Sequence, residues 1–130
     1  MSSPRLPEIN PEVPDANTPF ELSNAIVSKR LVAIISWSKD TYQELDKQCE
    51  VYDQMLLSKE RASHPDYAFY KCNIDGLEPK TVRGILGVHP KVVRQTAGLS
   101  IYREGELLGS LEGEEMQEYG FIEQALYSVM

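Results

Sequence analysis

Leu31-Val-Ala-Ile-Ile-Ser36 is the stretch whose reading decides the fold. Five apolar residues stand in a row, and Val32, Ile34 and Ile35 are β-branched. A strand with one wet face alternates apolar and polar side chains. This one does not, so it reads as a strand buried on both faces. Two-sided burial needs a layer on each side. That favours an α/β arrangement over an antiparallel sandwich.

Working outward, Thr18, Pro19 and Glu21 form a helix start. Thr18 is the N-cap, Pro19 stands at N1, and Glu21 completes a Thr-x-x-Glu capping box. Phe20, Leu22, Ala25 and Ile26 give that helix an apolar side through about Ser28, and Lys29-Arg30 ends it. After the central strand a second box, Thr41 and Glu44, opens a helix to about Lys59. Its stripe is Leu45, Cys49, Tyr52 and Met55/Leu56. Glu60–Pro65 reads as a polar loop in which His64 is expected to be solvated. Tyr67–Ile74 is a second strand, ended by Asp75-Gly76. Pro79 opens a short helix over Lys80–Leu86 that Gly87 terminates. Val88–Ala97 is a connection without a clear pattern. Leu99–Arg103 and Glu106–Leu111 flank Glu104-Gly105, a hairpin signal, and Gly113 closes the second strand. Tyr119, Ile122, Leu126 and Val129 then share one side of a last helix, weakened locally by Gly120.

The order is α, β, α, β, α, β, β, α. Parallel strands need helical crossovers, whereas the tightly joined last pair must be antiparallel. The expectation is a mixed sheet with helices on both faces. Residues 1–17 contain Pro4, Pro7, Pro11 and Pro14 and few apolar side chains. They are expected to be a proline-rich tail or an extended edge segment, with a short strand near Leu6–Ile9 left open. Residues 18–130 form the domain.

The bulk numbers fit one domain: 130 residues, 42% hydrophobic and 25% charged. No apolar run reaches the ~18 residues of a membrane span, and the first residues lack a secretory layout. A net charge of -7 argues against general nucleic-acid affinity. Two cysteines, Cys49 and Cys72, cannot build a disulfide scaffold, so a cytoplasmic (or nuclear) location is expected. Lys80, Arg83, Lys91 and Arg94, with His89 among them, depart from the acidic average. Glu112, Glu114, Glu115 and Glu118 form an acidic stretch. Both read first as solvated surface. His89 has no second ligand at metal-binding spacing, and no phosphate loop or hydrolase motif occurs.

Several stretches resemble the thioredoxin-like superfamily in place and kind. Leu31–Ser36 stands where that family's central strand precedes its active-site loop. Phe69-Tyr-Lys-Cys-Asn-Ile-Asp75 resembles its Phe-x-Lys-Val-Asp-x-Asp strand. Gly87-Val88, Ser100-Ile-Tyr-Arg-Glu-Gly-Glu106 and Leu111-Glu-Gly113 resemble its later landmarks. The resemblance covers about residues 18–130. It implies a three-layer fold, with a C-terminal antiparallel hairpin on a mixed sheet and helices on both faces.

The departures are chemical. The family carries Cys-Gly-Pro-Cys where this chain has Trp37-Ser-Lys-Asp-Thr-Tyr-Gln43. Its nucleophile is a thiolate held at a helix N-terminus. Here Asp40 or Thr41 is expected to supply the capping oxygen instead. The family's buried acid is absent from Leu31–Ser36. Ala97 falls where the family has its cis-proline, and the connection before it is about five residues longer than the family pattern. Cys49 and Cys72 both read as small buried hydrophobes.

The expected function is therefore a redox-inactive, protein-binding, scaffold or chaperone-like module with no cofactor and no metal. Its partner would be a protein or peptide, with no role for nucleic acid or membrane. Candidate binding residues are Trp37, Ser38, Lys39, Asp40, Thr41 and Tyr42 with His89, Lys91, Arg94 and Ala97. The alternative is a thiol-dependent or glutathione-linked oxidoreductase using one cysteine. A third reading is a subunit of a larger complex anchored by its proline-rich tail.

Overall fold

A computed structural model describes residues 13–40, 64–117 and 119–128. The helix expected over 41–59 with Cys49, the strand near Leu6–Ile9, and Val129 lie outside the described residues. So does most of the loop expected before Pro65.

The first helix, α1, is Pro19–Ile26, and Thr18 accepts the Glu21 amide at 3.1 Å as its capping box requires. Strand β1, Leu31–Trp37, is buried at every position up to Trp37, which is half-buried. Strand β2 is Tyr67–Asn73. A short helix α2, Pro79–Thr81, continues as a π turn over Val82–Leu86 and stops at Gly87 (φ 67°). The connection from Val88 to Ala97 holds a further helix, α3, at Pro90–Gln95. Strands β3, Gly98–Arg103, and β4, Glu106–Glu112, form the hairpin. Glu104 (φ 54°) and Gly105 (φ 82°) make its turn, the left-handed pair that suits the strands' own twist. A 3-10 turn at Gly113–Gln117 leads to the last helix, α4, Tyr119–Ser128.

The sheet order is β2-β1-β3-β4. β1 runs parallel to β2 and antiparallel to β3, and β3 pairs antiparallel with β4. Alternation along β1 feeds two cores. Leu31, Ala33 and Ile35 pack with Ile122 and Leu126 of α4. Val32 and Ile34 pack with Leu22 of α1, Val82 and Leu86 of α2's π turn, and Val93 of α3. Covered on both faces, β1 has no wet side, which is why its sequence does not alternate.

α2 is held to the sheet at its C-terminal end, where helix carbonyls lack intrahelical partners. Tyr102 donates its hydroxyl to the Ile85 carbonyl, Ser100 to that of Leu86, and Ser110 to that of Gly87. On the far side of the sheet, residues 13–17 follow β2. Ala16 N–H donates to the Lys71 carbonyl (2.9 Å), and Lys71 N–H to that of Pro14 (3.0 Å). Val13 and Ala16 are buried.

His64 departs from expectation. It is buried, with its ring edge-on to Tyr67 and Tyr127 at centroid distances of 5.9 and 4.8 Å. Two aromatic faces from β2 and α4 enclose it, and a local polar sequence cannot announce them.

Candidate functional site

The corner after β1 stands where the resemblance places the active-site loop of thioredoxins. Lys39 and Asp40 already have helical backbone. Ser38 is therefore the cap, two residues before the expected Asp40 and three before the expected Thr41. The Asp40 N–H donates to Ser38 Oγ at 3.1 Å. Asp40 lies inside the helix start, and no N–H of a described residue donates to its carboxylate. Thr41, Tyr42 and Gln43 lie outside the described residues.

A second carboxylate completes the corner. Asp75, in the 3-10 turn Ile74–Gly76 after β2, accepts the Ser38 hydroxyl on Oδ1 (2.8 Å). Its Oδ2 accepts the Lys39 N–H (2.8 Å). A helix start concentrates unpaired N–H groups and the positive end of the dipole. Here the chain's own carboxylate meets that field. The sequence marks Asp75 only as a strand terminator, because its partners lie 36 and 37 residues away.

The remaining candidates lie at the same end of the sheet. Ser36 pairs with Cys72 on one side and Gly98 on the other, and Gly98 pairs with Glu112. Trp37 packs against the core cluster that holds the buried Ala97. Glu112 binds His89 twice: Oε2 accepts its N–H and Oε1 contacts Nδ1, both at 2.7 Å. Lys91 and Arg94 of α3 are exposed and form no ion pair with a described residue. The structure thus sets Trp37 against the cluster that contains Ala97, joins Ser38 to Asp40 directly and to Lys39 through Asp75, and ties His89 to β4.

Gly98 shows how tightly this end is packed. A Cβ there would lie 2.6 Å from Ser36 Oγ and 3.1 Å from Val88 Cγ1. Ser36 Oγ is itself buried with no hydrogen-bond partner among the described residues. Cys72, next to Ser36 in register, is fully buried and faces the α1 side among Leu22, Ala25 and Ile74. Burial pushes its thiol up to about 12, and the charges of Asp15 and Glu21 push the same way. At neutral pH it is a protonated, inaccessible thiol. Among the described residues no group of three His, Cys, Asp or Glu could hold a metal, and no helix is long and apolar enough to cross a membrane.

The mitochondrial thioredoxin 3 of Saccharomyces cerevisiae, in its oxidised form, superposes with a TM-score of 0.65 at 16% identity, over 93% of this chain and 99% of that one. The chain has a thioredoxin-like fold. Fasciola hepatica thioredoxin matches at a TM-score of 0.64 and 11% identity, over 89% and 98% of the two chains. Chlamydomonas reinhardtii thioredoxin f2 does so at 0.64 and 12%, over 91% and 96%. No family model and no curated protein matches the sequence. The thioredoxin-like architecture is therefore retained at an identity too low to carry activity with it. Within it the sequence has no Cys-x-x-Cys. Its two cysteines, Cys49 and Cys72, are 23 positions apart, so the chain has this fold without a Cys-x-x-Cys dithiol.

Proposed function

We propose that the chain is a redox-inactive binding module of scaffold or chaperone-like type. It would hold a protein or peptide on the face made by Trp37–Asp40, the adjoining Thr41 and Tyr42, and α3 with its flanks, namely His89, Lys91, Arg94 and Ala97. One observation carries the reading. Asp75 bonds the helix start through both oxygens, where a thioredoxin would stabilise its thiolate. A second anion there would meet like charge at short range. The corner keeps the frame of a peptide-holding face and gives up the electron-transfer group. Trp37 supplies a half-buried aromatic, and Lys91 and Arg94 supply exposed cations. A location in a reducing compartment belongs to the same proposal.

Two assays test it together. Reduction of insulin disulfides and glutathione transfer should both stay at the uncatalysed rate. Partners recovered by affinity purification and identified by mass spectrometry should be lost from Trp37→Ala and from Lys91→Glu/Arg94→Glu. Turnover that disappears in Cys49→Ala or Cys72→Ala would replace this reading with the single-cysteine enzyme. Loss of partners only on deleting residues 1–17 would replace it with the tail-anchored subunit.

A further inference from the structure

The chain's net charge belongs to its last stretch. From Glu104 to Met130 there is no Lys, Arg or His, while seven glutamates lie between Glu104 and Glu123. Residues 1–103 hold the other thirteen acids and all thirteen Lys and Arg, so they are balanced and the -7 lies wholly beyond them. Glu112 is engaged by His89, and Glu104 lies 3.7 Å from Arg30. Glu106, Glu114 and Glu115 are exposed and form no ion pair with a described residue.

The same region leaves a sheet edge and a notch open. β4 is the outer strand, and its far edge pairs with no described strand. Between β4 and α4 lies a cavity of about 160 Å³ lined by Ile101, Leu108, Leu111, Ala125 and Ser128. Apolar cavities of about 150 Å³ accept a benzene-sized group. The notch exists because a side chain is missing: Gly109 lies opposite Ile101, and a Cβ on it would meet nothing within 4 Å. The register shift beside it leaves Leu108 44% exposed at the rim, and Phe121 of α4, one turn before Ala125, is 51% exposed.

We propose that the outer edge of β4 and this notch dock an extended, basic segment of a partner protein. Outward N–H and C=O groups of Gly109–Glu112 pair with its backbone, in the manner of strand addition. One apolar side chain of the segment seats in the notch against Ile101 and Ala125. Its Lys or Arg residues meet Glu106, Glu114 and Glu115. Charge selects the occupant. A second copy of this chain would bring two strongly acidic regions together, and an acidic segment would do the same. The surface shares no residue with the corner at Ser38, so it stands independently of the function proposed above.

The test uses the full-length protein and a fluorescent heptapeptide that alternates Lys with Leu, with a Glu/Leu peptide as its charge-reversed control. Fluorescence polarisation should show the Lys peptide binding at least ~10-fold tighter than its control, more weakly as salt is raised. Gly109→Leu, which fills the notch, should weaken binding ~10-fold or more at an unchanged melting temperature. Should that variant lose its fold, Leu108→Ser, altered at an exposed position, gives the same readout. Amide exchange should slow at Gly109–Leu111, and Trp37→Ala should bind like the parent. Equal binding of the two peptides, no binding, retained binding in the notch variants or loss in Trp37→Ala would each overturn the proposal. So would sedimentation of the protein as a dimer that Gly109→Leu dissolves.

Discussion

Cys72 is where the fold's usual chemistry and this chain's physics part company. The thiol faces Leu22 and Ile74, and burial raises it from 9.0 to about 12. The consequence for stability has a definite sign. The unfolded chain gives up this proton near pH 9, whereas the folded chain keeps it until about 12. Stability from this group is therefore complete below pH 9 and falls as pH rises towards 12. Tyr67, raised by burial from 10.0 to about 12, adds the same trend from pH 10 upward. Urea unfolding at pH 8, 9 and 10 should show the parent losing roughly 1 kcal/mol more than Cys72→Ala between pH 9 and 10. Parallel losses in the two proteins would refute the burial account. Cys72 was legible from its alternation with Tyr70 and Ile74 along a strand. Asp75 and the cap at Ser38 were not, since a capping pattern that spans three residues says nothing about a carboxylate arriving from another strand.

Elements with local signals were the readable ones. α1 announces itself in Thr18, Pro19 and Glu21, β1 in an unbroken apolar run, and the hairpin in Glu104-Gly105. α3 has six residues, too few for a periodic stripe, and short helices gain little from propensity alone. Pro90 at its first position was the only available hint. What holds α3 is distant in sequence: Glu112, 23 residues on, takes both the backbone N–H and the ring of His89. Thr96, at the other end, accepts the Gly113 N–H at 3.1 Å. Glu112→Ala should therefore loosen the N-terminal end of α3. Because His89 is largely exposed, the expected cost is modest, about 1 kcal/mol. Amide exchange should quicken at Val92 and Val93 while β1 keeps its protection. Unchanged exchange in α3 would show that burial of Pro90 and Val93 suffices to hold it.

Across the whole molecule, the segment at residues 13–17 is bound to the candidate site by a relay of side chains. Asn17 Oδ1 accepts the Asn73 N–H (2.8 Å), and Asn73 Oδ1 accepts the Asp75 N–H (2.9 Å). Asp75 then accepts from Ser38 and Lys39. The first and last steps cross between distant parts of the chain and the middle one spans two residues, so the corner's geometry depends on a segment that its prolines mark only as a tail or an extended edge. Val13 adds apolar burial to the same β2 edge, and full burial of a valine is worth about 1.5–3 kcal/mol. Val13→Ala and Asn17→Ala should each lower stability by about 1 kcal/mol. Only Asn17→Ala should also quicken amide exchange at Lys39, because it alone breaks the relay. Deleting residues 1–17 removes both supports and the backbone pairing with Lys71, so the melting temperature should drop by about 10 °C or more. A partner lost on that deletion thus implicates the tail only if Asn17→Ala, with the tail present, still binds. If the deletion melts with the parent, the relay does not support the corner, and Ser38 and Asp75 hold it unaided.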